Sequence, residues 1–206
     1  MYNPGHFAEG RTEVLHALIR QEPLATLVTS GPKGLEASHV PLILDPQGGL
    51  LRGHLARANP QWRALDASPV LAIFQGPEHY VTPSWYAAKR EHGKVVPTWN
   101  YIAVHVWGRA RWYEDPARLL RHLHELTNHN EASFEAPWGV DDAPPDYIEG
   151  MTKAIVGFEI SIERMEGKWK LSQNRSESDR QGVVQGLEGV ASHQSLELAR
   201  VMKRRE

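Results

Sequence analysis

Cysteine does not occur anywhere in the 206 residues. Disulfides, thiolate-held iron–sulfur clusters and a cysteine nucleophile are excluded by that alone, and the absence fits a cytoplasmic setting. Long apolar runs are also missing, since no stretch approaches the ~20 residues that a membrane-crossing helix needs. The N-terminus, MYNPGHFAEGRTEV, has no basic region followed by an apolar core, so no signal peptide is expected there. Neither sign of charge dominates: 23 Lys+Arg against 25 Asp+Glu leave a formal net charge of −2, which gives no global attraction for nucleic acid. The short basic run Lys203-Arg204-Arg205 reads as a solvated helix end. Several catalytic signatures are absent too. There is no Walker loop, no dinucleotide GxGxxG and no G-x-S-x-G elbow, and His124-Glu125-Leu126-Thr127-Asn128 fails the HExxH pattern at Asn128.

What is present gathers between Phe74 and Trp112. This stretch holds four of the seven tryptophans beside Tyr80, Tyr86 and Tyr101, with Gln75, Ser84, Lys89, Thr98 and Asn100 among them. Flat rings interleaved with amide, hydroxyl and cationic groups suit the wall of a pocket or an interface better than a core.

The rest reads as a scaffold. Thr12 caps a helix over Glu13–Gln21 whose Val14, Leu15, Leu18 and Ile19 form one stripe. Strands follow at Leu24–Ser30, Leu35–Leu44 and Leu50–Leu55, joined by turns at 31–34 and 45–49 into an antiparallel meander, with Pro41 marking an edge or bulge. Asn59-Pro60 opens a helical segment reaching Leu65. Pro69–Gln75 is a strand broken by Gly76-Pro77, Tyr80–Pro83 extends again, and Ala87–Lys94 is a polar loop or short helix. Thr98–Tyr113 alternates most regularly. Ile102, Val104, Val106, Gly108 and Ala110 form its core face, and Trp99, Tyr101, His105, Trp107 and Arg109 its other face. Asp115-Pro116 starts a helix with Leu119, Leu120, Leu123 and Leu126 inward, and an acidic loop spans Pro137 to Pro145. A helix over Tyr147–Lys153, strands Ile155–Arg164 and Lys168–Ser172 about a turn at Glu166-Gly167, and helices at Asp179–Leu187 and Leu196–Lys203 complete the chain. The fold class expected is mainly β (α+β), a barrel of antiparallel strands with peripheral helices.

Three constellations could carry chemistry. In Gly53-His54-Leu55-Ala56-Arg57-Ala58-Asn59-Pro60 a strand end meets a helix start, where backbone amides and a guanidinium fork suit a phosphate; a surface arginine beside an ordinary cap is the plainer reading. The aromatic stretch could stack on a flat heterocycle or simply form a dimer interface. Lys168-Trp169-Lys170-Leu171-Ser172-Gln173-Asn174-Arg175 crowds polar and basic groups at a strand end, where they reach a charged ligand or form a solvated turn. His122, His124 and His129 read as a solvated helix. His39, His54 and His105 read as hydrogen-bonded core or interface residues rather than ligands.

With the start Met1-Tyr2-Asn3-Pro4…His6-Phe7, the motifs GHLARANPQW (53–62), FQGPEHYVTPSWY (74–86), VPTWNYIAVHVWG (96–108) and KLSQNR (170–175) stand in order and in register. Together they resemble the PaiB-like FMN-binding negative transcriptional regulators, to about Leu187. The resemblance implies a split β-barrel domain over 1–187 with a helical tail over 188–206. It also implies a homodimer with FMN in a groove at the dimer interface, and a regulatory, sensor or weak flavin-dependent oxidoreductase role. By the same resemblance Arg57 and Asn59 are phosphate-end candidates, joined by Lys89 and Lys170. Trp85, Tyr86, Thr98, Trp99 and Asn100 line the ring and ribityl region, and Gln173 reaches in from the far end. Haem is the alternative cofactor, because some enzymes resembling this family are haem proteins that form a nitrogen–nitrogen bond in a cyclic amino acid; His54 would be the axial ligand. A ligand-free dimeric interaction module is the third reading. No helix-turn-helix with a basic recognition helix is legible, so direct DNA contact is not expected and regulation would act through the flavin or a small molecule.

Overall fold

The structure, a computed structural model, describes residues 1–31, 34–66 and 68–204. The expected 31–34 turn and the basic run at 203–205 therefore lie partly outside the described residues, at Pro32, Lys33 and Arg205. The strands are β1 (Ala8–Glu9), β2 (Leu24–Gly31), β3 (Gly34–Pro41), β4 (Ile43–Asp45), β5 (Leu50–Ala56), β6 (Pro69–Val81), β7 (Thr98–Tyr113) and β8 (Ile155–Lys170). They form one sheet in the order β3-β2-β6-β7-β8-β5-β4, with β1 added to β8. The helices are α1 (Thr12–Gln21), α2 (Ala88–Glu91), α3 (Pro116–Glu131), α4 (Pro145–Lys153), α5 (Glu177–Val190) and α6 (His193–Lys203).

The order holds the key to the architecture. β3 and β4 stand at its two ends, yet only Leu42 separates them in the chain. The two ends, Pro41 and Ile43, can be ~7 Å apart at most, so the sheet must roll until its edges meet. No ladder joins β3 to β4 among the described residues, and the barrel is split. The expected fold class is the one observed.

The three-strand meander is corrected. β2–β3 and β4–β5 are separate antiparallel hairpins, and Leu42 interrupts the middle strand by turning its N–H to the Pro23 carbonyl at 2.8 Å. Two expected breaks are also absent. β6 runs through Gly76-Pro77, where a Cβ on Gly76 would lie 2.6 Å from Ile102, so this glycine serves close packing. β8 likewise runs through Glu166-Gly167. Gly167 pairs with Glu9 of β1, and a Cβ there would lie 2.3 Å from Leu15. Glycine in a strand marks close approach as often as a turn. Arg11, not Thr12, supplies the first capping carbonyl of α1, accepting from Val14 and Leu15.

The chain divides into two compact units, one of residues 1–18, 75–104 and 166–206 and the other of residues 19–74 and 105–165. The expected division after Leu187 falls inside α5. In the second unit Gly53 makes room for Leu42 and Phe158, and Leu51, Leu55, Val106, Ala110, Val156 and Ile160 are buried. The first unit is built on α5 and α6, with Val183, Leu187, Leu198 and Met202 buried. Trp85, in the 3-10 turn Pro83–Trp85, seats on α5 where the chain has Gly182 and Gly186. Cβ atoms there would lie 2.0 Å from the Trp85 carbonyl oxygen and 2.2 Å from its indole.

These contacts fix the sign of two otherwise similar substitutions. Gly→Ala in a helix gains up to ~1 kcal/mol of propensity, whereas overpacking against fixed backbone costs ~1–3 kcal/mol. Gly182→Ala should therefore lower the thermal midpoint by several degrees, and Gly189→Ala, which meets nothing within 4 Å, should raise it or leave it unchanged. Calorimetry of both variants checks this.

Candidate functional site

Residues from three parts of the first unit converge on a cavity of about 160 Å³. β7 contributes Thr98 and Asn100 from its first turns of alternation, and β8 contributes Lys170 from its last residue. The segment after β8 contributes Ser172, Asn174 and Arg175, while Phe7, Tyr86, Val96 and Pro97 supply the apolar wall. Lys170 Nζ donates to Thr98 Oγ1 and, at 2.7 Å, to the Trp99 carbonyl. Burial, and after it the charge of Lys168, pulls the Lys170 ammonium below the usual lysine range. Asn100 is fully buried and its amide exchanges hydrogen bonds with Ser172 Oγ, at 2.9 Å as donor and 3.3 Å as acceptor.

Two features of this cavity are energetically unusual. Ser172, buried, has φ 63, a left-handed conformation that non-glycine residues rarely adopt and that strains the backbone where it occurs. The Tyr86 hydroxyl is buried and makes no hydrogen bond of good geometry among the described residues, although Arg175 and Ser172 stand close enough to favour its ionised form; a buried hydroxyl left unmet costs about 1–3 kcal/mol. Burial pushes the Tyr86 phenol up, against the opposing charge of Arg175, so it stays a neutral donor. Arg175 lies over the Tyr86 ring at 4.7 Å. No carboxylate lines the cavity among the described residues.

Of the residues singled out in sequence, Tyr86, Thr98, Asn100 and Lys170 thus come together. Four others from the same unit stand elsewhere. The indole of Trp85 lies against α5, and Lys89 is exposed, donating to Ser84 Oγ at 3.0 Å. Trp99 is 52% exposed, edge-on to Tyr80. Both ends of the Gln173 amide bond its own strand end, at the Leu171 N–H and the Trp169 carbonyl. Ser172 and Arg175, which shape the cavity, were visible in sequence only as part of a polar run. Nothing in a serine announces positive φ.

His54, Arg57 and Asn59 belong to the second unit. Each nitrogen of the Arg57 guanidinium donates one hydrogen bond, Nη1 to Glu114, Nε to the Lys153 carbonyl at 2.8 Å and Nη2 to the Ile155 carbonyl at 3.2 Å. Asn59 caps the 3-10 turn Pro60–Leu65, accepting from Gln61 N–H at 3.0 Å and donating to Ser38 at 3.0 Å. His54 Nδ1 meets His122 Nε2 at 3.1 Å. This corrects the reading of His122 as solvated: it is 2% exposed. Its place between Leu119 and Leu126 on the buried face of α3 gives the physical reason, since positions three and four apart share a face.

The family model described as "Putative FMN-binding domain" matches residues 1–164. The "Protease synthase and sporulation protein PAI 2" of Bacillus subtilis is 34% identical over 206 residues, covering 98% of this chain and 97% of its own. Among solved structures, the flavocytochrome Anf3 from Azotobacter vinelandii superposes with a TM-score of 0.60 at 16% identity, covering 84% of this chain and 74% of that one. The FAD and heme binding protein from Mycobacterium smegmatis gives a TM-score of 0.60 at 16% identity, with 84% and 78% covered. At such identities the last two similarities concern the fold.

The histidine pair sets a pH dependence. Burial first, then the charges of His54 and Arg52, lowers His122 from 6.5 to about 4, and burial lowers His54 as well. Between those pH values the unfolded chain binds protons that the folded chain does not. The contribution is therefore intact above about pH 6.5 and is lost as pH falls toward about 4. Denaturant midpoints measured across that interval should fall for the wild type and fall less for His122→Phe.

Proposed function

Because the chain belongs to the PaiB-like FMN-binding domain family, we propose that it is a homodimeric flavoprotein whose cavity at Tyr86, Asn100, Lys170 and Arg175 receives part of the FMN. The observation that carries this reading is the buried Tyr86 hydroxyl, without a well-formed hydrogen bond among the described residues, on a wall that holds two cationic side chains and, among those residues, no carboxylate. Such a wall suits a phosphate or the polar edge of a flavin: Lys170 and Arg175 would take a phosphate, and Asn100 and the Tyr86 hydroxyl would fix orientation. Arg57, a phosphate candidate by resemblance, would first have to give up Glu114.

At about 160 Å³ the cavity is smaller than the ~300–1,000 Å³ of ordinary small-molecule sites, so it would hold one end of the cofactor. The rest would need another surface. Val96, Trp99 and Tyr80 near the cavity are 65%, 52% and 42% exposed, an apolar set of the kind that meets a second copy. That supports the dimer. Bound flavin would supply the redox chemistry of a sensor or a weak oxidoreductase, and this chain's residues would bind, orient and shield it. Regulation would follow from ligand state rather than DNA contact, in keeping with the net charge of −2.

A second reading has one observation in its favour. His54 Nδ1 is held by His122, and a ring nitrogen so held is how histidine ligands to metals are usually oriented. Haem on His54 is that reading.

A visible spectrum of the purified protein separates the two. FMN titration should give saturable flavin-fluorescence quenching on a species that sediments as a dimer. Arg175→Ala should weaken binding at least tenfold, about 1.4 kcal/mol. Tyr86→Phe should also weaken it while leaving the stability of the FMN-free protein unchanged or higher, because an unmet polar group has been removed. Unchanged FMN affinity in both variants would sink the assignment, and a Soret band lost in His54→Ala would replace it with haem.

A further inference from the structure

The second unit holds a polar cavity of its own, about 160 Å³, between β5, α3 and β8. Its wall contains Arg52, Arg118 and Arg121 against Glu125 and Glu159, together with Tyr113 and His122. Both carboxylates are already answered. Arg52 meets Glu125 at 2.9 Å and Glu159 at 3.5 Å, and Arg118 meets Glu159 at 2.7 Å while stacking on Tyr113 at 4.1 Å. Asp45, outside the wall, takes a further Arg52 nitrogen. Arg121 has no carboxylate within ion-pair distance among the described residues. With Asp45 counted, three carboxylates answer three arginines, but all three carboxylates are engaged by Arg52 and Arg118, and Arg121 is the guanidinium left without one.

His122 adds a directed group. It is 2% exposed, its Nε2 is bonded to His54 Nδ1, and its Nδ1 is buried with no partner among the described residues. Gly157 leaves room for the Tyr113 ring of the wall, since a Cβ there would strike it at 2.4 Å. If His54 Nδ1–H donates to His122 Nε2, then His122 Nδ1 carries a proton and needs an acceptor. Leaving that donor unmet would be costly.

We propose that this cavity binds a small carboxylate or other oxyanion, which accepts from His122 Nδ1–H and pairs with Arg121. The site's volume admits a ligand the size of acetate or sulfate and excludes a nucleotide. It involves neither Lys170 nor Arg175 and stands independently of the flavin reading.

The test uses the full chain labelled with ¹⁵N at histidine and titrated at pH 7 with sodium acetate or sodium sulfate, with sodium chloride holding ionic strength constant. The His122 ring signals should shift saturably with at least one oxyanion and not with chloride, with Nδ1 protonated in the bound state. Arg121→Ala, at an exposed position that leaves folding intact, should raise the midpoint at least tenfold. His122→Phe should abolish saturable binding read by calorimetry. The proposal is overturned if neither oxyanion gives a saturable shift, if Arg121→Ala leaves the midpoint unchanged, or if bound His122 Nδ1 is unprotonated.

Discussion

A single residue carries the chain from one edge of the sheet to the other. Leu42 sits between β3 and β4, 1% exposed, with its N–H committed to Pro23 and its side chain against Gly53. Because only two peptide steps separate Pro41 from Ile43, the sheet has no freedom to lie open, and the rolled topology follows from chain length rather than from any ladder across the seam. A larger residue at Gly53 would meet Leu42 and Phe158 at once. The glycine and the link are therefore one requirement, and His54, next along β5, is carried to His122 by the strand that this requirement places.

Much of the fold was legible because its signals are local. Alternation in Thr98–Tyr113 named β7 to the residue, and Asp115-Pro116 and Asn59-Pro60 each turned out to be a capped start with the side-chain acceptor in place. The errors share a cause. Gly76-Pro77, Glu166-Gly167 and the unbroken span to Leu44 were judged by what such residues do in isolation, and each outcome was decided by a distant neighbour: Ile102, Leu15, the Pro23 carbonyl. Turn chemistry and close-packing chemistry use the same residue, and only the tertiary partner tells them apart.

The cavities divide in the same way. Tyr86, Thr98 and Asn100 stand in the mixture of rings and hydrogen-bonding groups between Phe74 and Trp112, and Lys170 in the polar run 168–175; it was the family resemblance that named all four as cofactor candidates. Trp85 belonged to the same mixture yet faces α5, because Gly182 and Gly186, almost a hundred positions later, open the space for it. His122 was misjudged from its two histidine neighbours on α3, although its spacing from Leu119 and Leu126 placed it inward. A helix face is a stronger guide than the polarity of the adjacent residues.

The unanswered Tyr86 hydroxyl also bears on how much folded protein exists at a given ligand supply. A chain that leaves a buried donor unmet until a ligand arrives folds against a smaller margin when empty than when filled. Any molecule that meets that hydroxyl in the folded state alone stabilises it by RT ln(1 + [L]/Kd), about 2.7 kcal/mol when the free ligand stands at 100 times its Kd. Differences of that size alter the steady-state level of a marginally stable protein several-fold through proteolysis of the unfolded form. Under the flavin reading proposed above, the hydroxyl would couple the lifetime of the polypeptide to the concentration of the cofactor.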